Sequence, residues 1–247
     1  MNVRFADCRY DLADPAAARG RYVDGHIPGA AFVDLDTDLS DLSIPAEVAG
    51  RHPLPGAEQF AAAMSRAGVG PETLVVAYDE GMTGGAARLW WLLRHFGHDQ
   101  VGVLDGGLQS WLGPLASGEE AIEPAAFVPR ERTGDTVTTD ELLGRLGEPG
   151  LVLLDGRPAD RFRGDALGPD PVAGHIPGAL NTPSTTGRMV ELPPEALEAD
   201  DVVAYCGSGV AAASVLLALH RAGRDDARLY PGSWSEWSRK GLPAEKG

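Results

Sequence analysis

Lysine is nearly missing from this 247-residue chain: Lys240 and Lys246 are the only two. The formal net charge is −15 and no run of basic residues occurs, which excludes a nucleic-acid partner, because phosphate binding needs clustered Lys and Arg. No stretch approaches the roughly 18–20 consecutive apolar residues of a membrane span, so no membrane partner is expected. The opening MNVRFADCRYDLADP has no apolar core and carries acids early; it reads as no signal peptide, and a cytoplasmic location is expected. Cysteine is scarce too. Cys8 and Cys206 are the only two, too few for a disulfide framework, and neither a CxxC pair nor an HExxH occurs, so no metal site is expected.

What the chain does have is repetition, in one order. GHIPGA stands at Gly25–Ala30 and again at Gly174–Ala179; VVAYD at Val75–Asp79 returns as VVAYC at Val202–Cys206. LDGGLQSW at Leu104–Trp111 has its counterpart in YPGSWSEW at Tyr230–Trp237, and the early strand Val3–Asp7 before Arg9 is matched by Leu151–Asp155 before Arg157. The spacing from GHIPGA to VVAY is longer in the first half, which carries extra residues at roughly Asp36–Gly56. Pro, Glu and Ala dominate Ser117–Thr133, the expected connection. The domains are therefore drawn as 1–117 and 134–247, with 118–133 as linker.

Within each half, short β-branched runs alternate with helical patterns. Leu74–Tyr78 precedes a helix at Gly84–Phe96, and Val202–Tyr205 precedes one at Val210–Ala222, each closed by a glycine. Strand, loop and helix in alternation predict an α/β fold, written twice, with a central parallel sheet flanked by helices in each copy.

Cys206 falls where a buried strand stops and a helix begins, the end of a parallel sheet at which ligands bind. The glycines of Cys206-Gly207-Ser208-Gly209-Val210-Ala211 let the backbone curl around one point. Amides and the positive helix end would then face the sulfur and favour its thiolate. Cys8, on an early strand with the look of an edge, is expected to be inert. A phosphatase loop would need arginine six residues after the cysteine, where Ala212 stands. GSGVAA from Gly207 matches a dinucleotide fingerprint, but too little chain follows to complete such a domain. Nothing indicates the peptide groove of a cysteine protease.

On these residues the chain resembles tandem-domain rhodaneses, and CGSGV at Cys206–Val210 is similar to the active loop of 3-mercaptopyruvate sulfurtransferases. RLWWLLRHFGH at Arg88–His98, RFRG at Arg161–Gly164 and both GHIPGA motifs extend the resemblance over nearly the whole length. It implies two rhodanese-like domains, the first with Asp79 at the position matching Cys206 and the second catalytic. It further implies that Cys206 accepts sulfur as a persulfide and that Ser208 is linked to His52. Asp36 would orient that histidine, fixing its tautomer for proton relay. Gly207, Gly209, Val210 and Ala211 would line the donor, and Arg161 would hold a carboxylate. His26 and His175 are expected to be structural. Two departures stand out: 165–173 reads DALGPDPVA, without the second arginine such enzymes often carry, and Ala211 replaces a common threonine.

The resulting expectation is a sulfurtransferase without metal or organic cofactor. It would take sulfur from 3-mercaptopyruvate, or alternatively thiosulfate, and pass it to a thiol, such as a reduced thiol protein, or to cyanide. A non-catalytic sulfur-binding module is the alternative from another class.

Overall fold

The computed structural model describes residues 2–81, 84–184 and 189–247. They form two compact units, 2–41 with 54–132, and 42–53 with 133–184 and 189–247. The first unit runs β1 (Asn2–Asp7), α1 (Pro15–Asp24) and β2 (Ala31–Phe32). After the excursion 42–53, which carries α2 (Ala46–Ala49), it continues with α3 (Ala57–Arg66), β3 (Thr73–Tyr78), α4 (Gly85–His95) and β4 (Val101–Val103). The second unit holds α5 (Thr139–Gly144), β5 (Leu151–Asp155), α6 (Ala159–Arg163), β6 (Leu180–Asn181) and α7 (Pro194–Glu198). It ends with β7 (Asp201–Tyr205), α8 (Ala212–Arg221), β8 (Arg228–Leu229) and α9 (Ser233–Arg239), and α2 packs against α9.

Both sheets are four-stranded and parallel, with orders β2-β1-β3-β4 and β6-β5-β7-β8. The expected α/β architecture, repeated, is present. Register is repeated as well: Asp7 pairs with Tyr78 as Asp155 pairs with Tyr205. The inner strands are apolar on both faces because helices cover both. Trp234, Trp237, Tyr205, Ile176 and Val203 share one buried cluster in the second unit. No helix among the described residues is long and apolar enough to cross a membrane.

The repeated motifs have one physical explanation. Arg9 clamps Asp7 through Nε and Nη2 and donates Nη2 to the Gly25 carbonyl at 2.7 Å. Arg157 does the same with Asp155 and the Gly174 carbonyl at 2.8 Å. The N–H of Ile27 donates to the Tyr78 hydroxyl, and that of Ile176 to the Tyr205 hydroxyl. His26 and His175 bond the carbonyls of Tyr22 and Phe162 through Nδ1 and stack on those rings. Each GHIPGA turn is thus pinned to strand ends by a buried ion pair and a tyrosine, and to the preceding helix by its histidine. Burial works against the charge of Arg157, but the Asp155 hydrogen bonds more than compensate and raise its pKa.

Two particulars differ from the sequence reading. β1 lies between β2 and β3, so it is no edge. Cys8 beyond it is buried; burial first, and then the charges of Asp7, Asp79 and Asp38, push its thiol well above the ordinary range. The segment 42–53, drawn with the first domain, packs as part of the second unit. Residues 118–132 contain no helix or strand. They run along the first unit, where the Ala125 N–H donates to the Ser65 carbonyl and Phe127 meets Phe60 edge-on.

Candidate active site

Cys206 follows the last residue of β7 and is 3% exposed. Its carbonyl accepts from the Trp234 N–H at 2.9 Å, and the Gly207 carbonyl accepts from the Ser235 N–H at 3.0 Å. Peptide planarity then turns the N–H groups of Gly207 and Ser208 away from α9. The carbonyls of Val210 and Ala211 accept from the first-turn amides of Ala213 and Ser214, so the loop runs directly into α8. Gly209 makes the bend at φ 79°, in the left-handed region that favours glycine. The Cys206 N–H is held by Ser233 Oγ at 3.1 Å, and Ser233 itself has φ 53°, unusual for a residue with a Cβ.

The corresponding loop of the first unit displays what such a backbone can do. Asp79 follows β3 as Cys206 follows β7, and its carboxylate accepts from the N–H groups of Gly81, Gly84 and Ala86 at 3.0–3.2 Å. In the first unit the backbone after β3 is an anion cradle, occupied by the protein's own carboxylate.

His52 and Ser208 are brought together, with Nδ1 and Oγ sharing a 2.8 Å hydrogen bond inside the second unit. Both are buried, at 7% and 6% exposure. Gly50 and Arg51 explain how the segment reaches the loop. Gly50 has φ 81°, and a Cβ there would lie 2.5 Å from the Gly232 carbonyl oxygen. The Arg51 N–H donates to Ser235 Oγ at 3.0 Å. A Cβ on Gly207 would lie 3.0 Å from Arg51 Nη2, so this guanidinium rests on the cysteine loop. Burial lowers the pKa of Arg51, partly offset by the charges of Asp170 and Cys206.

Arg161 lies in α6, where its backbone N–H donates to Asp160 Oδ1 at 2.8 Å, while its guanidinium donates Nη2 to Asp170 Oδ2 at 3.1 Å. The buried carboxylate of Asp170 also pairs with Arg51 and, at 3.2 Å, with Arg239. Arg163 pairs with Asp165 at the surface. Asp36 sits half-buried after β2 in the first unit, its N–H on Asp34 Oδ1; burial and then the Asp34 charge raise its pKa. Arg51, Asp170 and Arg239 escaped the sequence reading. Only Arg51 carried a signal, its place beside His52 in RHPLPG.

The rhodanese-like domain matches this chain twice, over residues 2–113 and 138–240. The chain belongs to the rhodanese family. It is 43% identical to a probable 3-mercaptopyruvate sulfurtransferase from Pseudomonas aeruginosa, over 94% of this chain and 87% of that one. It is 40% identical, over 96% and 88%, to Mycobacterium tuberculosis SseB, provisionally assigned as a thiosulfate sulfurtransferase. Among solved structures, the 3-mercaptopyruvate sulfurtransferase SseA from Escherichia coli matches with a TM-score of 0.78 and 33% identity, covering 94% of this chain and 92% of that one. In this rhodanese, Asp79 and Cys206 stand at equivalent points, each directly after an inner strand of its sheet, β3 and β7.

Proposed function

We propose that this rhodanese transfers sulfane sulfur from 3-mercaptopyruvate to a thiol or cyanide through a persulfide on Cys206. The observation that carries the reading is the pair of equivalent loops, one holding a carboxylate on its amides and the other presenting a cysteine at the same point. In the first step the Cys206 thiolate attacks the donor sulfur. The S–S bond forms as the C–S bond breaks, and its electron pair leaves on the enolate of pyruvate, which takes up a proton. His52 and Ser208, joined by their hydrogen bond, supply that proton. In the second step an acceptor thiolate or cyanide attacks the outer sulfur and Cys206 leaves as thiolate. Residues 134–247, completed by the segment 42–53 that carries His52, form the catalytic domain, and the reaction takes place in the cytoplasm.

Intact-mass measurement after brief exposure to 3-mercaptopyruvate tests the scheme. Wild type gains one sulfur, about 32 Da, and Cys206→Ser gains none; a gain on both proteins, or on neither, rejects it. Thiosulfate is the second reading, supported by the likeness to Mycobacterium tuberculosis SseB. Donor competition separates the two: 3-mercaptopyruvate loads the persulfide at lower concentration, and Arg161→Ala removes that advantage. Loading by thiosulfate at lower concentration, unaffected by Arg161→Ala, makes thiosulfate the donor.

A further inference from the structure

Guanidinium groups from three separate segments converge on one carboxylate beside the cysteine loop. Arg51 comes from 42–53, Arg161 from α6 and Arg239 from α9. Asp170 Oδ1 takes Nη1 of Arg51 and of Arg239, and Oδ2 takes Nη2 of Arg161. A single carboxylate cannot neutralise three guanidiniums, so the cluster keeps a net positive charge in a chain whose formal charge is −15. Most of its donor capacity is also unspent on Asp170, since each guanidinium carries five N–H groups and directs one of them there. Arg161 Nε is buried without a hydrogen-bond partner, an expensive arrangement unless something else accepts from the group. The cluster adjoins the cysteine: Arg51 Nη2 lies against Gly207, and the next residue, His52, bonds Ser208.

We propose that Arg51 and Arg239, together with Arg161, form the site that binds the carboxylate of the sulfur donor, with Asp170 as the positioning residue that gathers them. The inference rests on the donor being a 2-oxo acid, as proposed above. It also accounts for the segment 165–173, which has no arginine. In place of a guanidinium it supplies Asp170, and that carboxylate draws two guanidiniums from elsewhere in the unit. Arginine suits the task because its planar fork matches a carboxylate in two-point contact. An acidic protein gains most from such a local site, since the rest of its surface repels the anionic donor.

Pyruvate, which has the carboxylate and keto group but no sulfur, is the probe. It shields Cys206 from alkylation by neutral iodoacetamide, and the half-protecting concentration is read for each protein against its own unprotected rate. Arg51→Ala and Arg239→Ala each raise that concentration about tenfold, the loss expected for one charge-assisted contact. Arg51→Lys falls between wild type and Arg51→Ala, because an ammonium keeps the charge without the fork. In turnover, the KM for 3-mercaptopyruvate rises by more than kcat falls. Arg51→Gln and Arg239→Gln retain a donor for Asp170 and replace any alanine variant that does not fold. Half-protection of both variants at the wild-type concentration, or no protection of wild type, overturns the site. If wild type shows the 32 Da gain but the variants are protected equally well, sulfur transfer stands and the carboxylate site falls. If the variants lose protection but wild type gains no sulfur, the carboxylate site stands and the transfer scheme falls.

Discussion

Two cysteines of one chain occupy opposite environments. Cys8 lies among Asp7, Asp79 and Asp38, whose charges add to burial in keeping it a neutral thiol. Cys206 lies on a loop against which the Arg51 guanidinium rests. Iodoacetamide therefore labels native protein at Cys206 alone, read by peptide mass; labelling of Cys8 at a similar rate contradicts the contrast in surrounding charge. The pH dependence of stability follows with a definite sign. A thiol whose pKa is raised by folding contributes stability that is full below the unfolded value, about 8.5, and declines as pH rises beyond it. Between pH 8 and 10 the melting temperature of wild type falls more steeply than that of Cys8→Ala; parallel curves contradict the assignment. Cysteine context was legible in the sequence for Cys206, because strand, glycines and helix surround it. It was misread in part for Cys8, because neighbours from other strands decide whether β1 is an edge.

At the scale of elements, the sheets were legible because each repeated motif marks the same mechanical point in both copies. GHIPGA is a turn pinned by an Asp–Arg pair, and VVAY is the strand that ends at Asp79 in one copy and at Cys206 in the other. The arginine cluster was not legible, since its members sit in no repeated motif and meet only through folding. The excursion 42–53 was legible as extra chain, but its packing with the second unit depends on close contacts that no local pattern encodes. Gly50 is the clearest of them. Its positive φ and the nearness of the Gly232 carbonyl leave no room for a side chain. Gly50→Ala should cost about 2 kcal/mol or more and slow persulfide loading by displacing His52. Thermal melting and the rate of the 32 Da gain check both; unchanged loading would separate the excursion from the chemistry.

For the molecule as a whole, duplication has left two loops of one design with different occupants. Asp79 holds three buried amides that would otherwise be unpaired. Asp79→Ala should destabilise the protein by about 2–4 kcal/mol, seen in chemical denaturation, while the folded variant still loads sulfur on Cys206. Loss of loading by that folded variant would assign the first loop a part in the reaction. The filled loop has a further consequence, one for motion. It is a receptor with its ligand attached by a covalent tether, saturated for the life of the protein. A persulfide formed on Cys206 would bring the second loop to a comparable state of saturation. Amide hydrogen exchange at 207–211 should then slow when sulfur is loaded and recover when an acceptor removes it, while exchange at Gly81, Gly84 and Ala86 stays constant throughout.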